Sequence, residues 1–587
     1  MNKKILVAVA WPYANGDLHV GHLAGAYLPA DIFARYHRLA GNDVLMVSGS
    51  DSHGTPITVH AEQEGVTPRE IFERYHARFL KAQQEIGISY DLFTHTDTPN
   101  HHRVAQDIFS RLLEHGYLHL RRQKQFYSET RQRYLPDRYI EGTCPYCGYT
   151  EARGDQCDNC GRILDALELI NPRCKVDGAT PVVRETEHFF LDLPKLETQV
   201  RAFLADDKEH WRSNVLNFSR NYVKSGLRER PITRDIAWGI PVPLEGYEGK
   251  CLYVWFEAVI GYLSASIEWA ELVGEPEAWK AWWYEPDALT YYFIGKDNIP
   301  FHTLIWPAEL LGLERIYEDE RHLNLPYDVP ANEFMNIQGA QASKSRNWAI
   351  WMPDLLSRYD PDAIRFYITS VMPETSDSDF SWQDFVQRNN SELVGVWGNL
   401  VNRVLSFTAK HFEAVPEPGV LGDVDRVLLD KAEAAFETVG AHLAAAQFRA
   451  ALSTALGLAR EANRYLEVKS PWKQLKEDRV AAGTSLYVAL QAINALRVLL
   501  APFLPFSAQR VHEMLGYTTS LFGEQTITEV GEGARGKHDV LRYDASEAAG
   551  CWKFEVLPAG RPLQKPRPLF KKLDESVIAE ELARMGS

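Results

Sequence analysis

The chain has 587 residues, of which 45% are hydrophobic, and a formal charge of −16. A single core seldom grows beyond about 250–300 residues, so several units are expected. No run approaches the ~20 apolar residues of a membrane helix and the start lacks the order of a secretion signal, so a cytoplasmic protein without a membrane partner is expected, while the acidic balance argues against a protein that coats nucleic acid non-specifically.

The run Ile5–Ala10, bounded by Pro12 and Asn15-Gly16, reads as a buried strand. Leu23, Tyr27, Leu28, Ile32, Phe33 and Tyr36 then recur at helical spacing. Between them lies His19-Val20-Gly21-His22, beginning nine residues after the strand. A strand-to-helix turn offers free backbone N–H groups and the positive end of a helix dipole, which suit a phosphate. A His-x-x-His pair alone is equally a metal site or a pair of helix caps. Val44–Val47 reads as a second strand, and Thr67-Pro68-Arg69-Glu70 as a capping-box helix start. Residues 1–116 therefore show an α/β pattern with a parallel sheet.

From 117 to 232 turn residues dominate and the periodicity fades, as in an insertion. Cys144-Pro145-Tyr146-Cys147 and Cys157-Asp158-Asn159-Cys160 are separated by nine residues, and each pair precedes a glycine. Two such turns set four thiolates at the corners of a tetrahedron, which suits one structural Zn²⁺ with no open position. Seven cysteines, an odd number, fit a reducing compartment better than disulfides. Cys251–Phe256 and Leu289–Ile294 read as strands that complete the interrupted sheet. Ser343-Lys344-Ser345 falls in a small mixed segment that runs to about 384. From Asn390 to about 515, positions such as Leu393, Val396, Trp397, Leu400, Val401, Val404 and Leu405 predict a helix bundle. The tail from Pro558 is expected to pack back by Pro568-Leu569-Phe570 before a short final helix.

In one order, the chain carries Pro12–Gly16, His19–His22, Gly49-Ser50-Asp51-Ser52-His53-Gly54-Thr55-Pro56, the cysteine knuckle, Tyr253-Val254-Trp255, Ile294-Gly295-Lys296-Asp297 and Ser343-Lys344-Ser345. That series closely resembles the methionyl-tRNA synthetases, which are class I aminoacyl-tRNA synthetases, over roughly residues 3 to 510. The resemblance implies an α/β fold in which a Rossmann-type nucleotide-binding domain is split by a zinc-knuckle insertion and followed by a stem-contact segment and an all-α anticodon-binding bundle. The implied boundaries are 1–116 and 233–325 for the catalytic halves, 117–232 for the insertion, 326–385 for the stem-contact segment, 386–545 for the bundle and 546–587 for a tail that packs back on the body.

The resemblance also implies an activity: ATP, L-methionine and tRNA(Met) give methionyl-tRNA through methionyl-adenylate, with Mg²⁺ accompanying ATP. His19 and His22 match residues that contact the ATP phosphates, and Lys344 matches the lysine that holds the leaving pyrophosphate. Gly21, Gly295, Asp297, Ser343 and Ser345 match further ATP positions. Asp51 matches the carboxylate that holds the substrate ammonium. Ala10, Trp11, Tyr13, Trp255, Ala258, Val259, Tyr262 and His302 match positions around the methionine side chain, where aromatic rings suit a thioether. Asn399 and Arg403, which share a helix face, and Trp472, which follows Pro471, match anticodon readers. No DNA partner is implied, and a monomer is expected.

The match has four departures. Gln341 stands where the usual Lys-Met-Ser-Lys-Ser loop has its first lysine, and Asp177 stands where a second knuckle near Cys174 would have a cysteine, so one zinc is expected. Trp11 replaces a common leucine and Val259 a common proline, which bears on pocket shape. Two other readings stay open at this point: a class I ligase for another apolar amino acid, and a catalytically silent zinc-knuckle RNA-binding protein.

Overall fold

The computed structural model describes residues 2–136, 139–154, 157, 159–160, 164–205, 207–318, 320–341, 348–531 and 536–585. Its central element is the strand Lys4–Val9, buried on both faces from Ile5 onward. Near-continuous apolar sequence of this kind is what an interior parallel strand requires, since helices cover both sides. It pairs in parallel with Asp43–Ser50 on one side and with Leu289–Gly295 on the other. Leu92–His95 continues the sheet beyond Asp43–Ser50, and Ala331–Asn332 lies outside Leu289–Gly295. The chain thus runs outward in one direction from its first strand and later returns to the other side of it. The crevice at the carboxyl ends of Lys4–Val9 and Leu289–Gly295 is the switch point where open α/β sheets hold ligands.

The segment Cys251–Phe256 does not complete the sheet as its composition suggested. Only Cys251–Leu252 is extended, pairing antiparallel with Thr233–Arg234, and a long helix, Val254–Leu272, starts immediately after. Its apolar residues are buried all round the helix, which is why the segment shows no amphipathic period.

The insertion forms an antiparallel sheet in the order Arg230–Pro231, Val182–Leu191, Leu118–Ser128, Arg133–Tyr134. A smaller sheet of Ala152–Arg153, Ile140–Thr143 and Ile170–Cys174 carries the knuckle. The knuckle has its own small core, including Phe126, Tyr139, Ile140 and Leu169. Glu62 ties the insertion to the catalytic body by ion pairs with Arg131 at 2.6 Å and Arg133 at 2.7 Å.

Helices Asn399–His411, Asp423–Ala444, Phe448–Lys469 and Arg479–Leu499 build the bundle, whose core is continuous with one face of the catalytic sheet. Arg365, fully buried, holds this junction. It reaches Asp31 at 2.6 Å and the backbone oxygens of Phe503 and Pro502 at 2.8 and 2.9 Å, so the buried charge is paired and hydrogen-bonded. The chain beyond the bundle departs from the helical expectation for residues up to 545. Glu524–Val530 and His538–Asp544 form an antiparallel hairpin that joins the catalytic sheet at Leu92–His95. Their alternating, short pattern could not reveal which sheet they would join. The tail then returns to the body: Leu573 and Asn390 exchange two hydrogen bonds of 2.8 Å, and Glu581 in the helix Ser576–Arg584 binds Arg358 and Tyr359.

Candidate active site

A cavity of about 460 Å³ opens at the switch point, lined among others by Ala10, Trp11, Tyr13, His19, Gly21, His22, Trp255, Gly295 and Asp297. The first strand ends at Val9 and delivers Ala10 to Tyr13 directly to its wall. His19 caps the short helix Val20–His22: its Nδ1 accepts from the Gly21 N–H at 3.1 Å, and the His19 N–H donates to His22 Nδ1 at 3.2 Å. Each Nδ1 is therefore an acceptor, so each neutral ring carries its proton on Nε2. The cap and ligand readings are compatible, because one nitrogen of each ring shapes the turn and the other is a donor. The two rings lie 3.9 Å apart. A Cβ on Gly21 would come within 2.9 Å of the His19 ring, so a larger residue here would push that ring from its capping position.

The chain leaving the Ser-Lys-Ser segment passes beside this turn: the Val20 N–H donates to Ile350 O, and the Met352 N–H to Leu18 O. Gln341 reaches the cavity wall. Ser343, Lys344 and Ser345 lie outside the described residues.

In the cavity wall, Tyr13 and Trp255 meet edge to face at 5.9 Å, and Trp255 stacks on Phe301 at 4.3 Å. Ala258, Val259, Tyr262 and His302 are buried on the helices that follow. His302 Nδ1 donates to Asn298 O at 2.9 Å, leaving Nε2 to accept from the Tyr262 hydroxyl at 2.7 Å. Burial lowers the His302 pKa to about 4, so the ring is neutral at ordinary pH. Trp11 lies in a cradle between two glycines. A Cβ on Gly49 would fall 2.1 Å from its ring, and one on Gly261 would fall 2.7 Å from it. The indole replaces a smaller side chain only because both neighbours lack one.

Asp51 follows the strand Asp43–Ser50 and is 3% exposed. Burial, with the Glu257 carboxylate nearby, pushes its carboxyl well above the ordinary range. A buried polar network surrounds it. His53 Nδ1 meets Glu257 Oε1 at 2.8 Å, and His101 Nε2 meets Glu257 Oε2 at 2.7 Å. Burial opposes charge on both members of the first pair, yet each favours the other's ionised form, raising His53 and lowering Glu257. The sequence reading missed Glu257 and His101, although Glu257 stands out as a carboxylate amid the apolar helix Val254–Leu272.

His53, Asp97 and His102 bring three ligand-type atoms within 4.8 Å of one another. Arg69 holds Asp97 at 2.5 Å, and the Glu257 and Asp97 carboxylates raise the His53 pKa against the effect of burial, so the three side chains form an ion-pair network. The four knuckle cysteines are different. All four sulfurs lie within 4.8 Å of one another, with Cys144 and Cys160 at 4.0 Å and Cys147 and Cys157 at 3.6 Å. Thiolates bound at ~2.3 Å to a tetrahedral Zn²⁺ sit about 3.8 Å apart, so the arrangement fits that ion.

In the bundle, the Arg403 guanidinium lies over the Trp472 ring at 4.9 Å, and exposed Asn399 precedes Arg403 by one turn of the same helix. The structure therefore brings together residues that are 69 positions apart in sequence, 472 less 403.

Residues 5–405 match the family model for class I tRNA synthetases (M), and residues 415–538 match that for the anticodon binding domain of methionyl tRNA ligase. Over its whole length the chain is 60% identical to a methionine–tRNA ligase of Thermomicrobium roseum, covering 99% of that protein. It is 57% identical to one of Roseiflexus castenholzii, again covering 99% of it. A Mycobacterium tuberculosis methionyl-tRNA synthetase solved with methionyl-adenylate superposes with a TM-score of 0.75 at 25% identity, over 97% of this chain and 100% of that one.

Proposed function

The chain belongs to the methionine–tRNA ligases of class I, and on that premise we propose which residues carry its two reaction steps. The enzyme activates methionine with ATP to methionyl-adenylate and pyrophosphate, then transfers methionine to the terminal adenosine of tRNA(Met). In the first step a methionine carboxylate oxygen bonds to the α-phosphorus and the bond to pyrophosphate breaks, so negative charge builds on the phosphates. His19 and His22 meet that charge with their Nε2–H donors, and Lys344 holds the leaving pyrophosphate. Gly295 and Asp297 hold the adenosine side, and ATP enters as its Mg²⁺ complex. Catalysis of this kind is positioning plus electrostatics. The supporting observation is that the histidine turn, Gly295, Asp297 and the aromatic residues Tyr13 and Trp255 share one cavity at the sheet's switch point.

Asp51 holds the methionine ammonium, and Trp11, Val259, Tyr262 and His302 shape the side-chain pocket with Ala10, Tyr13, Trp255 and Ala258. One Zn²⁺, held by Cys144, Cys147, Cys157 and Cys160, stabilises the insertion's fold and leaves no coordination site for chemistry. We propose a monomer acting in the cytoplasm; among the described residues no helix is long and apolar enough to cross a membrane. The units divide as 1–116 and 233–325, 117–232, 326–385, 386–545 and 546–587, with the sheet-joining hairpin as the end of the bundle segment. Amino-acid-dependent exchange of labelled pyrophosphate into ATP, run with each of the twenty amino acids, tests the pocket: methionine alone should support it, and exchange with another amino acid would overturn these assignments.

Two further results are expected. The methionine KM should rise as pH falls, starting above the ordinary aspartate value of 3.8, because raising the Asp51 pKa makes its carboxyl neutral at higher pH and unable to pair with an ammonium. The KM for ATP should not follow that curve, and Asp51→Asn should flatten it. Separately, Trp472→Ala should lower kcat/KM for tRNA by roughly 5- to 150-fold, the worth of about 1–3 kcal/mol of base stacking. Pyrophosphate exchange measured without tRNA should be unaffected; equal loss in both assays would contradict an anticodon role.

A further inference from the structure

We propose that the hairpin Glu524–Val530 and His538–Asp544 is a strap that positions the amino-acid site, with His76 as the positioning residue that transmits its hold. The inference rests on the assignment of Asp51 to the substrate ammonium. Ser50 ends the strand that delivers Asp51, and its side chain is fully buried. His76, on the helix Pro68–Ile86, lies between this strand end and the hairpin. Its Nε2 is 2.8 Å from the Asp539 carbonyl oxygen and its Nδ1 is 2.7 Å from Ser50 Oγ. A carbonyl only accepts, so the His76 proton is on Nε2, and Ser50 must donate to Nδ1. Both ends of the relay are thereby fixed in direction. The ring is 5% exposed and packs against Phe93 and His95, so it has little freedom to turn.

A second link reaches the helix that carries another part of the same site. His538 Nε2 donates to Glu268 Oε1 at 2.8 Å, and Nδ1 to Gly536 O at 2.8 Å. Glu268 lies on Val254–Leu272, the helix that also carries Trp255, Ala258 and Tyr262. The hairpin is therefore linked to two of the elements that carry the methionine pocket, to the strand before Asp51 through His76 and to Val254–Leu272 through Glu268. It also closes the segment that carries the anticodon bundle, so the strap joins the tRNA-binding unit to the amino-acid pocket.

The test is steady-state pyrophosphate exchange by the full chain. His76→Phe should raise the methionine KM by about tenfold through misplacement of Asp51, while the KM for ATP and kcat stay near wild type. His76→Gln keeps a donor and an acceptor and should recover most of that loss. If His76→Phe does not fold, Ser50→Ala removes only the hydroxyl and should show the same selective rise. Parallel changes in both KM values and kcat, an unmoved methionine KM, or a Gln variant no better than Phe would overturn the proposal. Asp51→Asn, assayed alongside, separates the two assignments: if it weakens methionine and the His76 variants do not, the strap fails while the ammonium site stands. If Asp51→Asn leaves the methionine KM unchanged, both fall.

Discussion

His22→Ala is expected to slow methionyl-adenylate formation by roughly 10²–10³-fold, the usual cost of removing one donor aimed at charge that develops in a transition state. The structure separates this from a folding effect. His22 also accepts the His19 N–H through Nδ1 at 3.2 Å, so alanine also removes half of a capping box, worth about 0.5–2 kcal/mol of stability. A thermal melt reads the cap and a single-turnover assay reads the donor. His22→Asn, whose short side chain can serve the cap, should restore stability more than rate. If rate and stability recover together, the role of His22 is confined to shaping the turn.

Removing zinc should act on the insertion before it acts on the catalytic body. The knuckle's core is small and separate from the two large cores, and units of this size rarely fold without a metal or another cross-link. Structural Zn²⁺ contributes an apparent ~10–16 kcal/mol in small knuckle folds at neutral pH. Cys157→Ser should therefore yield protein without bound zinc, whose chain between Tyr139 and Cys174 is cut rapidly by a protease that spares the wild type. Metal content by atomic emission and limited proteolysis check the two halves of this statement. Wild-type protein should hold one zinc per chain; loss of zinc without new cleavage would mean that the small sheet stands by itself. Because Glu62 pairs with Arg131 and Arg133, a collapsed insertion should also loosen the helix Thr55–Glu64 that follows Asp51.

Local chemistry made much of the site legible. A cysteine pair needs only a tight turn to present two sulfurs, so spacing alone pointed to the knuckle. The first strand is apolar enough to require burial on both faces, and the histidine turn follows it within about ten residues. Cys251–Phe256 was opaque for the opposite reason. Its residues suit a strand or a helix buried on every side, and only the space left between the sheet and the helix Pro99–Glu114 selects the helix.

Four elements depended on contacts between distant segments. Trp11 fits because Gly49 and Gly261 leave room for its ring, and nothing near Trp11 in sequence announces either glycine. Glu257 is ionised because His53 and His101 arrive from other elements to hold it. Arg403 meets Trp472 only after two helices have packed. The hairpin that follows the bundle could have stood alone, yet it pairs with Leu92–His95, where an open sheet edge offers unpaired backbone groups. The sequence by itself determined the first strand, the helical repeats and the spacing of the two cysteine pairs, because these depend on neighbours a few positions apart. Tertiary structure alone decided pocket volume, protonation states and the partner of the sheet edge. Those depend on burial, on charges brought together across the chain and on which backbone groups remain unpaired after packing.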